Sequence, residues 1–140
     1  MITEFLLTAA LCLSQNIYHE ARGEPAAGQF MVGVVTMNRA EWNAENVCNV
    51  VFAPNQFSWT LDPKLYAVED EKAWLQAKLM AQEILLMDQL TVSRLKSSEL
   101  APFLTADHYH RYDIKPNWDW SKLQKLGQIG DHIFYTEKGL

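Results

Sequence analysis

Along the first twenty residues apolar side chains recur every three to four positions, at Ile2, Leu6, Ala9, Leu13 and Ile17. That period predicts an amphipathic helix over residues 3 to about 22, with Thr3 as its N-cap. The pattern breaks at Gly23-Glu24-Pro25. Proline disfavours helical backbone at the residue before it and suits the first turn of a new helix. A second helix is predicted over 25–42, with Phe30, Val34 and Met37 inward, although Val32, Gly33, Val34, Val35 and Thr36 lower its propensity. A helical turn near 45–51 leads into 52–60, where turn formers and aromatics predict a loop. A third long helix is predicted over 70–88, capped by Asp70, with Trp74, Ala77, Ala81 and Leu85 on one face. Prolines, aromatics and histidines crowd 101–120 and predict irregular chain with one short strand. The β-branched and aromatic run 129–136 predicts another strand. Together these elements predict an α+β fold, mainly helical, with a small β or loop lobe, as a single domain over residues 1–140.

The chain has 140 residues, 49% of them hydrophobic, and carries a formal charge of −5. A chain of this size holds a core without staples. Its acidity lacks the basic footprint of a nucleic-acid binder, so no nucleic-acid partner is expected. The charge is uneven: residues 1–70 hold three basic and eight acidic side chains, and residues 71–140 hold nine of each. Cys12 and Cys48 have no metal-ligand spacing and no wider framework, and both are expected to be small buried hydrophobes. The apolar start is too short to span a bilayer and carries Glu4 where a secretion signal needs a basic residue. Neither a signal peptide nor membrane insertion is expected.

The most unusual stretch is Ile17-Tyr18-His19-Glu20-Ala21-Arg22-Gly23-Glu24-Pro25. On the first helix Glu20 lies seven residues after Leu13, a rotation of only about 20°. It continues the apolar stripe, where desolvation raises a carboxyl pKa, and it sits in the last turn, where the helix dipole raises it again. Glu24 lies beyond the break, where the next helix dipole favours its ionised form. Two carboxyls whose environments push their pKa values apart mark an acid/base pairing, with Glu20 as the acid. A salt-bridged helix end involving Arg22 is the plainer reading of the same residues.

Other groups extend the candidate site. Gln56-Phe57-Ser58-Trp59 puts an amide, a hydroxyl and two aromatic faces on one loop, as sugar-binding sites often do, though a Phe and a Trp taken alone are more often a core anchor. His108 and His110 flank Tyr109 and would share one face of an extended strand, as zinc ligands or as hydrogen-bonding groups lining a cleft. His19 and His132 stand alone. No metal site and no cofactor is the expectation.

These residues together resemble the SleB/CwlJ family of cell-wall hydrolases, which also occur in bacteriophages. The likeness rests on Glu20-Ala21-Arg22-Gly23-Glu24, Gly28-Gln29, Val34-Val35-Thr36-Met37-Asn38-Arg39 and Cys48-Asn49-Val50-Val51. It continues through Gln56-Phe57-Ser58-Trp59, His108-Tyr109, Pro116-Asn117-Trp118 and Ile129-Gly130-Asp131-His132-Ile133-Phe134-Tyr135. The resemblance implies a lysozyme-like fold and cleavage of the bond between N-acetylmuramic acid and N-acetylglucosamine, with Glu20 as the catalytic acid. The glycan site is expected to include Glu24, Gln56, Phe57, Ser58, Trp59, His108, Tyr109, His110 and Trp118. Without a signal or a separate wall-binding domain, a single-domain, monomeric phage lysin is expected, made in the cytoplasm of an infected host and acting on the wall after release. Because no second carboxylate is convincing (Asp70, Asp107 and Asp113 are the candidates), a lytic transglycosylase is favoured over a hydrolytic muramidase. A zinc amidase built on His19, His108, His110 or His132 with Glu20, and a non-catalytic glycan-binding module, are the other readings.

Overall fold

A computed structural model describes residues 4–54 and 56–139 of the chain. Thr3, the expected cap, and Ile2 lie outside the described residues. The first helix, α1 (Glu4–Ala21), buries Ala9, Leu13 and Ile17, as its period predicts. The second, α2 (Ala26–Arg39), is central: every residue from Met31 to Met37 is buried. A helix packed on all sides needs no amphipathic pattern, and that packing overrides the weak propensity of its β-branched run. Its backbone approaches α1 and α4 (Glu71–Leu85) at Gly33, where a Cβ would lie 2.4 Å from Ile84 Cδ1 and 3.2 Å from Ile17 Cδ1.

The second helix ends three residues earlier than the predicted boundary at 42. Glu41 and Trp42 take φ of 55° and 56°, the Glu41 N–H donates to Asn38 O, and the Trp42 N–H donates to Met37 O. This is a Schellman stop with Glu41 in the left-handed position that glycine usually takes, so the sequence carried no glycine to mark it.

The expectation of two separate buried cysteines is overturned. Cys12 and Cys48 form a disulfide, with Cα atoms 5.3 Å apart, tying α1 to α3 (Val47–Val51). Packing of α3 across the Cys12 face of α1 creates the pair, a tertiary relationship that a separation of 36 residues does not reveal.

The predicted 70–88 helix is α4, with Asp70 capping it through the Ala73 N–H; it stops at Leu85. Asp88 then caps a further helix, α5 (Gln89–Lys96), which the periodicity did not show. The irregular region contains strand β1 (His108–Arg111). The run 129–136 is not a single strand. β2 (Leu123–Ile129) and β3 (His132–Glu137) meet there in a two-residue hairpin at Gly130-Asp131, with Gly130 at φ 57°. The three strands form an antiparallel sheet in the order β1-β3-β2.

Two core clusters flank α2. One joins α1, α2, α3 and α4 with Phe57 and Trp59; the other packs Met31, Val34 and Val35 against Ala106 and Phe134 of the β lobe. The result is the mainly helical α+β architecture read from the pattern.

Candidate active site

Leu13 and Ile17 are buried, and Glu20 follows on the same face at the point where α1 leaves the core. Its carboxyl opens into a cleft of about 360 Å³ between the helical lobe and the sheet. Gln56, Ser58, Leu61, Tyr109, His110, Arg111, Ile114 and His132 form the rest of the lining. Among these residues Glu20 is the sole carboxyl. Burial holds its pKa above the ordinary carboxylate value, while the Tyr109 hydrogen bond and the charge of Arg39 pull the other way. Tyr109 Oη donates to Glu20 Oε1 at 3.0 Å. The Tyr109 hydroxyl is itself pushed well above its usual pKa, first by burial and then by the Glu20 charge, so it stays a donor.

Register explains how the sheet delivers these groups. Tyr109 pairs with Phe134, and Arg111 with His132, so Tyr109, Arg111, His132 and Phe134 share the face turned to the helices. Tyr109 and His132 meet edge to face with centroids 5.0 Å apart. His108 and His110 take the opposite face together, as the strand reading implies, each set edge-on to Trp118. His110 still reaches the cleft rim; its Nε2 lies 2.8 Å from Tyr135 Oη. His108 lines an adjoining cleft with Asn38, Arg39, Gln56 and Asp107, so Gln56 borders both.

The 56–59 loop divides by alternation. Gln56 and Ser58 are exposed on the cleft, while Phe57 and Trp59 are buried beneath it. The Trp59 indole N–H donates to Asn16 Oδ1, Asn16 Nδ2 donates to Thr36 Oγ1, and the ring stacks on His19. Phe57 lies under the Arg39 guanidinium. These two aromatics thus anchor the loop from below, and Trp118 sits beyond the cleft lining.

Glu24 is turned away from the Glu20 cleft. Its Oε1 accepts the Asp131 backbone N–H at 2.9 Å and lies 3.0 Å from His132 Nδ1, clasping the β2–β3 turn. A side chain at Gly130 would collide with that carboxylate, the Cβ falling 2.8 Å from Oε2.

The other acidic candidates do not line the Glu20 cleft. Asp70 caps α4, Asp113 accepts from Arg111 Nε at 3.2 Å, and Asp107 accepts the Glu137 backbone N–H. Among the described residues no three His, Cys, Asp or Glu side chains stand together as a metal-binding group. No described helix is long and apolar enough to cross a membrane.

Arg39 was not singled out from the sequence as lining a site, and His132 entered only as a zinc-ligand candidate of the amidase reading. Both carry the signal that exposed Glu20: a polar residue continuing a buried face. Arg39 follows Val35 by one helical turn, and His132 precedes Phe134 on the inward side of β3.

Residues 23–135 match the family described as Cell Wall Hydrolase, a span that opens inside the Glu20–Glu24 motif and closes at Tyr135 within β3. The chain belongs to the Cell Wall Hydrolase family. The spore cortex-lytic enzyme of Halalkalibacterium halodurans is 31% identical over 125 residues, covering 87% of this chain and 33% of that protein. That of Bacillus subtilis is 30% identical over 124 residues, covering 87% of this chain and 35% of that protein. This Cell Wall Hydrolase chain thus spans about a third of the length of these relatives. Its fold matches the catalytic domain of the germination-specific lytic transglycosylase SleB from Bacillus anthracis, with TM-score 0.61, 27% identity and 95% coverage of both chains. The catalytic domain of the Bacillus cereus SleB protein matches with TM-score 0.56 and 27% identity, over 91% of this chain and 89% of that one.

Proposed function

We propose that this chain cleaves the glycan strands of peptidoglycan between N-acetylmuramic acid and N-acetylglucosamine, as a lytic transglycosylase with Glu20 as its acid. The observation that carries this reading is a single carboxyl, raised in pKa by burial, in a cleft between two lobes. A raised pKa favours the protonated form, which gives its proton to the glycosidic oxygen as the C1–O bond breaks. The muramic 6-hydroxyl oxygen then bonds to C1, closing a 1,6-anhydro ring, and its proton leaves to a base. In the simplest course that base is Glu20 itself. No water is consumed. Most retaining and inverting glycosidases use a second carboxylate across the scissile bond, and none of Asp70, Asp107 and Asp113 lines the Glu20 cleft. The relatives are in accord, since one solved neighbour is a lytic transglycosylase and the longer relatives are spore cortex-lytic enzymes.

The test is mass spectrometry of muropeptides released from purified cell walls by the wild type and by Glu20→Gln. Anhydro-muramic ends from the wild type, with release by Glu20→Gln reduced at least a thousandfold, are expected. Reducing ends would replace the reading with a hydrolytic muramidase, and full activity of Glu20→Gln would refute the assignment of the acid.

A further inference from the structure

His132 is a buried titratable group on the wall of the catalytic cleft to which the reaction above gives no task. It is 3% exposed, yet it lines the same cleft as Glu20, with its ring edge-on to the tyrosine that holds the Glu20 carboxyl. Its Nδ1 is sealed from solvent and lies 3.0 Å from Glu24 Oε1, out of line for a good neutral hydrogen bond. Nε2 is then the ring nitrogen left to meet a ligand in the cleft. Glu24 is held in turn by the Asp131 backbone N–H, which ties the carboxylate to the β2–β3 turn beside His132. A carboxylate behind one nitrogen and a reaction cleft before the other is the arrangement that lets histidine take a proton from a hydroxyl.

We propose that His132 is a second catalytic residue, taking the proton of the attacking 6-hydroxyl, and that Glu24 is its positioning residue. The inference rests on the transglycosylase reading and divides its two proton transfers between two groups. Glu20 protonates the leaving oxygen as C1–O breaks. The 6-hydroxyl oxygen bonds to C1 as its proton passes to His132 Nε2, and the imidazolium faces Glu24 across the 3.0 Å contact. Loss of that proton from His132 and regain of one by Glu20 through solvent close the cycle, with no net proton gained or lost. Burial, the largest influence, suits His132 to be a base that begins neutral. Burial lowers its pKa, Arg111 and His110 lower it further, and Glu24 and Asp131 raise it.

The experiment compares the wild type, His132→Gln and Glu24→Gln on purified cell walls, recording pH–rate profiles and the ends of the released muropeptides. For His132→Gln, kcat is expected to fall about a hundredfold with KM little changed. The acid limb of its profile should disappear, and reducing ends should rise at the expense of anhydro ends as water competes for C1. In Glu24→Gln the amide oxygen can still accept the Asp131 N–H while the charge is gone. Its acid limb should move to lower pH, because the group that raises the His132 pKa is lost. A merely structural clasp would leave that limb in place. An unshifted limb in Glu24→Gln, or wild-type kcat in His132→Gln, overturns the inference; if His132→Gln fails to fold, the Glu24→Gln limb alone decides. Reducing ends alone from the wild type would refute the transglycosylase reading instead, and the limb shift would then decide whether His132 activates water.

Discussion

Tyr109 and Glu20 are 89 residues apart in the chain and are joined by a 3.0 Å hydrogen bond from the phenol to the carboxyl. The bond stabilises the charged form of a carboxyl whose pKa burial raises. Tyr109→Phe should therefore raise the Glu20 pKa further, because only the stabilising partner of the ionised state is removed. The basic limb of the pH–rate profile, which reports loss of the acid's proton, should move to higher pH. Activity at the wild-type optimum should fall roughly tenfold, equivalent to about 1.4 kcal/mol, as the carboxyl loses a group that orients it. A limb that stays in place would show that this bond does not tune the acid.

The same raised pKa fixes a dependence of stability on pH. Above the ordinary carboxylate pKa and below the folded value, native Glu20 holds a proton that unfolded Glu20 has released. Folding then binds protons, so its contribution to stability is fully present at low pH and is lost as pH rises through the folded pKa. Glu20→Gln does not titrate. Urea unfolding should find this variant more stable than the wild type at pH 7 to 8, with the difference shrinking toward pH 4. A variant less stable than the wild type at pH 8 would contradict the burial argument.

Much of this site was legible because α1 obeys its period. Leu13, Ile17 and Glu20 follow one stripe, and a carboxyl on an apolar stripe marks itself. What stayed hidden was set by contacts between distant segments. The Cys12–Cys48 bond depends on how α3 crosses α1, and β2 pairs only with β3, its alternation being broken by the adjacent polar pair Gln124-Lys125 and by the register shift between Lys125 and Gly127. Helix α5 has a low apolar content and is marked chiefly by its Asp88 cap. Trp59 shows the converse: two loop aromatics fitted sugar or core, with core the commoner outcome, and their burial and the Trp59 bond to Asn16 place them beneath the cleft.

The disulfide closes a loop of 36 residues between α1 and α3, the segment that also contains all of α2. Opening it frees the unfolded chain, and the loop-closure relation puts the stability lost at about 4 kcal/mol. For a domain of this size that corresponds to a fall in Tm on the order of 10–15 °C. A Cys12→Ser, Cys48→Ser double variant, or wild-type protein unfolded in excess dithiothreitol, should show that fall. Equal melting with and without reductant would mean that the link adds nothing to stability.

Asn16 joins three helical and loop segments through one amide. Its oxygen accepts the Trp59 indole N–H at 2.9 Å, and its nitrogen donates to Thr36 Oγ1 at 3.1 Å, while Thr36 donates on to the Val32 carbonyl. Asn16, Thr36 and Trp59 are all buried, so a donor that loses its partner has no water to turn to. Asn16→Ala should cost about 2–4 kcal/mol, combining an orphaned indole N–H with a small cavity. Trp59→Phe should also destabilise, through lost packing. Made together, the two should cost clearly less than the sum of the single changes, because phenylalanine has no N–H left to strand. The loop above would loosen as well, raising KM several-fold through Gln56 and Ser58, which it presents to the cleft. Urea titrations of the four proteins close the cycle. Strict additivity would mean that Trp59 is held by its packing alone and that the amide plays no part in seating the cleft loop.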